Sequence, residues 1–212
     1  MKAPHLALLG FALVATGPAF AQVDEAEIEK RLESIEAQVN RMEQNINRLT
    51  AVFEKEELVA RQRQKARERM RRDAKTYSAE QLEEIERLYQ TANDREADPE
   101  LVQQNLAQIV REFPAANRAG CAVLYLGQRS EGDERLEHLR RASTAHADCF
   151  YGNGVQVGPY AHWYLALHYR DSGDRAKAEE QLQIITEKYP EALNHRGAAL
   201  SELMPRFFGD SP

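Results

Sequence analysis

Residues 160–190, YAHWYLALHYRDSGDRAKAEEQLQIITEKYP, decide the fold because they predict two amphipathic helices joined by a tight turn. A Ser-Gly-Asp turn at residues 172–174 separates the helices, and Pro190 closes the second one. Apolar residues recur at helical spacing on one face of each helix, at Leu165, Ala166, Tyr169, Ala178, Leu182 and Ile185. Such faces need further helices to cover them, so the stretch predicts neighbouring helices on either side.

The residue types in this stretch resemble those of the tetratricopeptide repeat (TPR) family. The resemblance lies in a leucine, a small residue, a tyrosine, a glycine, an alanine, an apolar residue and a proline, at Leu165, Ala166, Tyr169, Gly173, Ala178, Leu182 and Pro190. It implies an all-α protein in which helix pairs stack into a solenoid that recognises partners. It implies no chemical reaction.

The first 21 residues predict a secretory signal peptide that is cleaved after Ala21. Lys2 precedes an apolar run at residues 6–14, and a small-x-small pattern ends the segment at residues 19–21. A membrane-anchored helix is the alternative, but the run is too short to cross a bilayer and acidic residues follow it. Gln22 stands where a lipoprotein needs cysteine. We therefore expect a periplasmic protein without stable membrane insertion.

Composition narrows the function further. The formal net charge of −6 argues against general binding of nucleic acid. Cys121 and Cys149 would meet an oxidising compartment, so a single disulfide between them is expected. A zinc site that also uses His138 and His146 is the alternative, but it lacks the closely spaced ligand pairs of such sites. No C-x-x-C-H haem motif occurs, and we expect no metal and no cofactor.

Residues 28–53 predict a coiled coil. Apolar side chains alternate at spacings of four and three, at Ile28, Leu32, Ile35, Val39, Met42, Ile46, Leu49 and Phe53. The strict 3.5-residue period favours pairing with another copy of the chain over folding back onto the other helices. Arg31 at a g position can reach Glu36 at an e position of a neighbour, which favours parallel helices. Isoleucine at d positions favours a trimer, with a dimer as the second choice.

A basic segment follows the heptads, with cations spread over residues 61–75. We interpret it as a solvated helical connector because its cations surround the helix; a patch for anionic lipid, lipopolysaccharide or an acidic protein is the alternative. The predicted domains are therefore the signal peptide at 1–21, the coiled coil and connector at 22–76, and a helical repeat domain at 77–212. An irregular glycine-rich insertion interrupts the last at 148–159.

The repeat domain carries its own internal match. Ser78 with Gln81 predicts a capping box, and Asp98-Pro99 predicts the start of the next helix. LAQIVREFP at residues 106–114 matches LQIITEKYP at residues 182–190, and related tetrapeptides follow at 117–120 and 194–197. This offset predicts a degenerate helix pair between the two matches. A last helix after Glu191 would cover the open end, with a frayed tail from residue 205.

The glycine-rich insertion has two interpretations. It is a binding loop if its glycines let the backbone approach a ligand, or a structural plug if Val155 and Val157 fill a gap between helix pairs. The candidate loop residues are Phe150, Tyr151, Gly152, Gly154 and Gly158.

The TPR resemblance implies a groove lined by the first helices of successive repeats. Carried onto this chain, the groove residues of the clear repeat are Tyr160, Trp163, Leu167, Arg170 and Asp171. The family's usual aromatic falls one residue earlier, where His162 stands. Trp163 is therefore either exposed beside Arg170, which would suit a peptide with an apolar and an acidic group, or turned into the core between repeats.

No catalytic motif is present, so we expect no enzyme. Signal peptide, coiled coil and repeats, in that order, resemble the periplasmic coiled-coil/TPR family of the Tol–Pal cell-division system. The sequence thus predicts an oligomeric scaffold for envelope proteins or peptides, in cell division or envelope maintenance. The alternative is a ligand-binding protein whose insertion holds a small molecule, a glycan or a metal.

Overall fold

The computed structural model describes residues 25–94 and 96–209, and the fold of this part of the chain is all-α, as predicted. Seven α-helices occur in it: α1 (Glu25–Asp73), α2 (Ala79–Gln90), α3 (Pro99–Glu112), α4 (Asn117–Arg129), α5 (Gly132–Thr144), α6 (Val157–Asp171) and α7 (Arg175–Lys188). Short 3-10 helices lie at Thr91–Asn93 and Leu200–Arg206. The predicted signal peptide lies outside the described residues. Within them, no helix is both long enough and apolar enough to cross a membrane.

The chain divides into two compact units, Met1–Leu49 and Thr50–Pro212. In the first unit the described residues belong to α1, and every side chain from residue 26 to residue 49 is exposed. The apolar heptad residues at positions 28–53 are between 43% and 65% exposed. An apolar stripe of this length on a lone helix lacks the partner that its pattern requires.

In the second unit each helix from α2 to α7 packs on the next one along the chain. Three of these helices start at side-chain caps, and the caps of α2 and α3 are the predicted ones. Ser78 and Gln81 form a complete capping box on α2, Asp98 caps α3 ahead of Pro99, and Asp174 caps α7. The interior is filled by fully buried apolar side chains such as Leu106 and Leu124.

The internal match appears in the ends of two helices. Phe113 ends α3 with φ −127° and ψ 51°, and Tyr189 ends α7 with φ −134° and ψ 49°. In each case the backbone N–H donates to the carbonyl of the isoleucine four residues earlier, Ile109 or Ile185, and both isoleucine side chains are buried. The two matched segments therefore have the same local conformation, including the irregular residue before the proline.

The related tetrapeptides that follow take different structures. Asn117 is the first residue of α4, and its side chain bonds both backbone groups of Phe150 at 2.7 Å. Asn194 instead accepts the N–H groups of Arg196 and Ala198 in a tight turn, where Gly197 has a φ of 72°. A positive φ suits glycine, so this turn replaces a helix start with a short hairpin.

Residues 61–73 of α1 pack along the connections between helix pairs. Gln62 and Lys65 donate to Glu191, and Arg69 donates to the carbonyl of Ala115 at 2.9 Å. Ala66 is 1% exposed. The connector was predicted to be solvated; one face of this part of it is instead buried against those connections, whereas most of its cations are exposed.

The C-terminal segment also differs from the prediction. A 3-10 helix replaces the expected last α-helix, and Phe207 in the supposedly frayed tail is only 4% exposed. Phe207 packs with Leu200 and Trp163 in a second apolar cluster beside α6 and α7. A large aromatic side chain buried in this way anchors the tail as far as that residue.

Candidate functional site

Most of the glycine-rich insertion packs closely against neighbouring segments. Gly154 has a φ of 93°, and a Cβ there would lie 2.9 Å from the backbone nitrogen of Arg63 in α1. A Cβ on Gly158 would lie 2.8 Å from the carbonyl oxygen of Ala147. Phe150, Val155 and Val157 are buried. The structure thus places these parts of the insertion where the plug interpretation put them.

Tyr151 and Gly152, by contrast, border an open cleft of about 350 Å³, which we call the tyrosine cleft. The other walls come from α2, α4 and the C-terminal hairpin. Its main side chains are Tyr89, Arg118, Tyr125, Gln128, Tyr151 and His195, with Asn153 at the edge. Two of the five predicted insertion-loop residues therefore face a cavity.

Arg118 lies in the cleft wall, and Glu86 neutralises its positive charge. Its guanidinium donates to both carboxylate oxygens of Glu86, at 2.8 and 3.0 Å, and lies over the ring of Tyr89 at 4.3 Å from the ring centre. Burial opposes ionisation of Glu86, but the bonds and charge of Arg118 hold its pKa below the ordinary value. The cleft wall therefore carries an ion pair with no net charge.

The tyrosine rings of the cleft are held by their hydroxyls. Tyr125 donates to the carbonyl of Ala92 at 3.3 Å, and Tyr151 donates to the carbonyl of Cys121 at 3.5 Å. Burial raises the pKa of Tyr151 well above its ordinary value. The Tyr151 phenol is therefore neutral, and the hydroxyl bonds of Tyr125 and Tyr151 position the two rings.

His195 stands between two aromatic rings at the cleft edge. Its ring centre lies 5.0 Å from that of Tyr151 and 4.9 Å from that of Tyr160, both edge to face. The Asn153 amide nitrogen lies 3.2 Å from Nδ1. Because an amide nitrogen only donates, Nδ1 accepts and the neutral ring carries its proton on Nε2. Burial lowers the pKa of His195, so this neutral form prevails at pH 7.

A second, more apolar groove of about 700 Å³ adjoins the tyrosine cleft and shares Asn153 and His195 with it. Val52 and Val59 of α1 form one wall, and the hairpin turn at residues 194–197 forms the other. The Asn153–His195 pair thus borders both cavities.

The predicted groove residues of α6 have different contacts. Trp163 lies 4.9 Å from Phe207 edge to face, and Arg170 lies over the same ring and donates to the Phe207 carbonyl at 3.2 Å. Leu167 packs in the same cluster. The C-terminal segment therefore covers this part of α6. Tyr160 also packs against this cluster, and its ring contacts those of Tyr164 and His195.

Asp171 is exposed and accepts two hydrogen bonds from its neighbour Arg170, at 2.8 and 2.9 Å. Trp163 is half-buried against Phe207 of the C-terminal segment, an arrangement that neither of the two alternatives described. A role for these five side chains in partner binding stays a prediction.

The two cysteines are free thiols, so the disulfide expected from the sequence is not formed in this structure. The Cys121 thiol donates to the carbonyl of Phe150 at 3.4 Å, whereas the Cys149 sulfur lies 3.6 Å from a guanidinium nitrogen of Arg69. Each sulfur has its own partner. Burial raises the pKa of Cys121 to about 12 and that of Cys149 to about 11.

The alternative zinc set is not assembled either. Among residues 25–94 and 96–209 no three His, Cys, Asp or Glu side chains form a metal-binding cluster.

Sequence reasoning missed most of the cleft. Arg118 follows the asparagine of a matched tetrapeptide, and Tyr89 lies on the predicted inner side of its helix, but neither was linked to the insertion. The available signal was the repeat register, which places the first helices of successive pairs on one side of a stack. His195 follows the asparagine of the other tetrapeptide, as Arg118 does in the first, whereas Gln128 carries no comparable signal.

Comparison with known proteins gives no match: no family model, no curated protein and no solved structure resembles the chain significantly.

Proposed function

We propose that the chain is an exported periplasmic scaffold that oligomerises through α1 and holds envelope proteins or peptides on its helix pairs. The observation that carries the proposal is the exposed heptad stripe of the first unit. The resemblance to TPR proteins supports the second half of it. Cell division and envelope maintenance are the processes that such an organisation suits, and no step of the proposal requires catalysis.

The stripe argues for association with identical chains. Burying one large apolar side chain from water contributes about 1.5–3 kcal/mol, and the heptads offer a series of them along one line. A sequence period of 3.5 residues keeps that line facing a partner helix over its full length. We favour a parallel trimer, with a dimer as the second choice, because isoleucine recurs at d positions.

The test is the mass of the full chain in solution, measured by sedimentation. The double variant Ile35→Asp/Ile46→Asp places charges in the seam and should be monomeric, with its second unit still folded. The matched control Ser34→Asp/Gln44→Asp adds the same charges off the seam and should keep the wild-type mass. A wild-type protein that is monomeric at about 50 μM, a concentration at which short coiled coils commonly assemble, would refute the proposal.

Partner binding is tested next, with the same variants. If oligomerisation gives avidity, the seam variant should retain crosslinked envelope proteins less well than its control. Equal retention by the two would show that partners are held without avidity.

A second candidate function is ligand binding through the insertion. It is favoured by one observation, namely that Tyr151 and Gly152 line a cleft built from aromatic and amide side chains. Pockets with convergent polar groups and aromatic walls are the usual sites of small ligands.

A further inference from the structure

We infer that the tyrosine cleft binds a neutral saccharide of one or two rings, which rests on the second candidate function and names its ligand class. The cleft combines aromatic rings that are fixed in place with amide and imidazole groups at its edge. A sugar ring presents C–H groups on its faces and hydroxyls around its rim, so it can pack on aromatic rings and bond amides at once.

The aromatic part of the cleft is preformed. Tyr125 and Tyr151 are held through hydroxyl bonds to backbone carbonyls, and Tyr151 also contacts His195. Rings fixed in this way lose little side-chain entropy when a ligand packs on them. The site therefore needs no rearrangement of its aromatic walls on binding.

The polar groups at the cleft edge can form hydrogen bonds with a ligand. The Gln128 side chain lines the cleft, and its amide can both donate and accept hydrogen bonds. His195 presents an Nε2–H while Nδ1 is engaged by Asn153. Hydroxyl groups suit such a mixed set because each one can donate and accept.

Charge decides between neutral and anionic ligands. The Arg118 guanidinium is engaged with Glu86 by two bonds, and burial keeps His195 neutral at pH 7. A phosphate, a uronic acid or an acidic peptide would have to share that cation with the carboxylate of Glu86, which repels it. A neutral ligand meets no such repulsion.

Size argues against an extended peptide. The cleft volume of about 350 Å³ is near the lower end for small-ligand sites, roughly 300–1,000 Å³. A proline-rich segment advances about 3.1 Å per residue and needs a long groove. A compact ring ligand fits the available space better.

The binding test uses the full chain and three neutral two-ring probes, maltose, cellobiose and N,N′-diacetylchitobiose, followed by calorimetry or NMR titration. At least one should bind, with an affinity that is unchanged by moderate salt. A Gly152→Phe variant should weaken that binding at least tenfold by filling the cleft. A Cβ at this position meets only the Met70 methyl at 4.0 Å, so the added ring has room. Gln183→Phe adds the same ring on the exposed face of α7 and is the control that should bind as the wild type does.

An amide truncation tests the polar edge. Gln128→Ala should weaken the saccharide about fivefold, whereas Gln183→Ala on the exposed face of α7 should leave the affinity unchanged. Binding unaffected by both Gly152→Phe and Gln128→Ala would place the saccharide elsewhere and overturn the inference.

Two further outcomes overturn it as well. One is failure of all three neutral probes to bind. The other is that octaproline or oligogalacturonate binds more tightly than the neutral probes and that the Gly152→Phe variant loses this binding. That result would assign the cleft to a peptide or an acidic glycan. Neither outcome affects the scaffold proposal, because the sedimentation of the Gly152→Phe variant should match that of the wild type in every case.

Discussion

Gly120 of α4 shows how closely the insertion is packed. A Cβ there would lie 2.5 Å from the Cβ of Cys149 and 2.6 Å from its sulfur. We expect Gly120→Ala to lower the free energy of unfolding by about 1–3 kcal/mol, because overpacking moves both the helix and the insertion. Urea unfolding measures it, with Gly152→Ala as the comparison. Equal stability of the two variants would show that the insertion can retreat from α4.

The cysteines give a second prediction for single side chains. Thiolates react and thiols do not, and burial holds the pKa of Cys121 at about 12 and that of Cys149 at about 11. A maleimide should therefore label the native protein slowly at pH 7. After unfolding without reductant it should label two cysteines per chain. Finding none would mean that the isolated protein carries the disulfide expected from the sequence.

Histidine burial predicts a dependence of stability on pH. Burial, aided by the charges of Arg141 and Arg69, lowers the pKa of His146, and burial also lowers the pKa of His162. The unfolded chain then binds more protons than the native one below about pH 6.5, so stability is full above that pH and falls as the pH drops. The free energy of unfolding should decrease between about pH 7.5 and 5.5.

The control is His146→Gln, in which the free energy of unfolding should fall less over the same pH range. Carboxylates do not interfere, since Lys65 lowers the pKa of Glu191 from its ordinary 4.5 and such groups titrate below this range. A flat profile in the wild type would contradict the assignment of neutral buried histidines.

Among the helices, α4 has its N-terminus capped from another element. Its N-cap residue, Ala116, supplies no side-chain bond, and the Asn117 N–H donates to the Asp73 carboxylate of α1 at 2.8 Å. Asp73 in turn accepts from Arg69 at 2.6 Å. A negative group at a helix N-terminus satisfies a free N–H and opposes the helix dipole. The last turns of α1 are therefore part of the start of α4.

Removing Arg69 should consequently destabilise the second unit. Arg69→Ala leaves the buried Asp73 without its cation, which we expect to cost about 3 kcal/mol in the free energy of unfolding. The exposed pair of Arg87 and Glu84 is the matched control, and Arg87→Ala should cost less than about 0.5 kcal/mol. Similar losses for the two variants would show that the docked part of α1 does not stabilise the unit.

The helix starts and ends could be predicted from the sequence because their signals are local. Ser78 with Gln81 and Asp98 with Pro99 act within one turn of helix, and the matched ends at Phe113 and Tyr189 depend on a few adjacent residues. The docking of residues 61–73 was not predicted, since helix formers that are rich in arginine look the same on a solvated helix. Only the tertiary contact shows which arginine is buried.

The cleft was predictable only in part for a related reason. Tyr151 and Gly152 stood out because glycine and aromatic residues cluster in one short segment. Arg118, Gln128 and His195 are distant from this segment in the chain, and the periodicity of a single helix does not relate them to it. Their meeting depends on how successive helix pairs stack, which a single sequence does not specify.

On the scale of the whole molecule, oligomerisation predicts two kinds of thermal transition. Unfolding of associated α1 helices should depend on protein concentration, whereas unfolding of the second unit should not. Trp163 is the single tryptophan and packs against Phe207, so its fluorescence reports on the second unit, while circular dichroism reports on both. A tenfold dilution should lower the first transition alone. A dilution that leaves both transitions unchanged would argue against association through the heptads.

The packing of residues 61–73 of α1 along the connections between helix pairs also determines how the protein would respond to mechanical force. Arg61, Lys65 and Gln62 contact Glu191, while Arg69 and Asp73 hold Ala115 and Asn117. At roughly 1.5 Å per residue, about 18 Å of helix separates Arg61 from Asp73. Tension along the helix axis would therefore strain these bonds together, in shear, whereas a sideways pull would open them one after another. The chain should resist stretching along α1 far better than peeling across it.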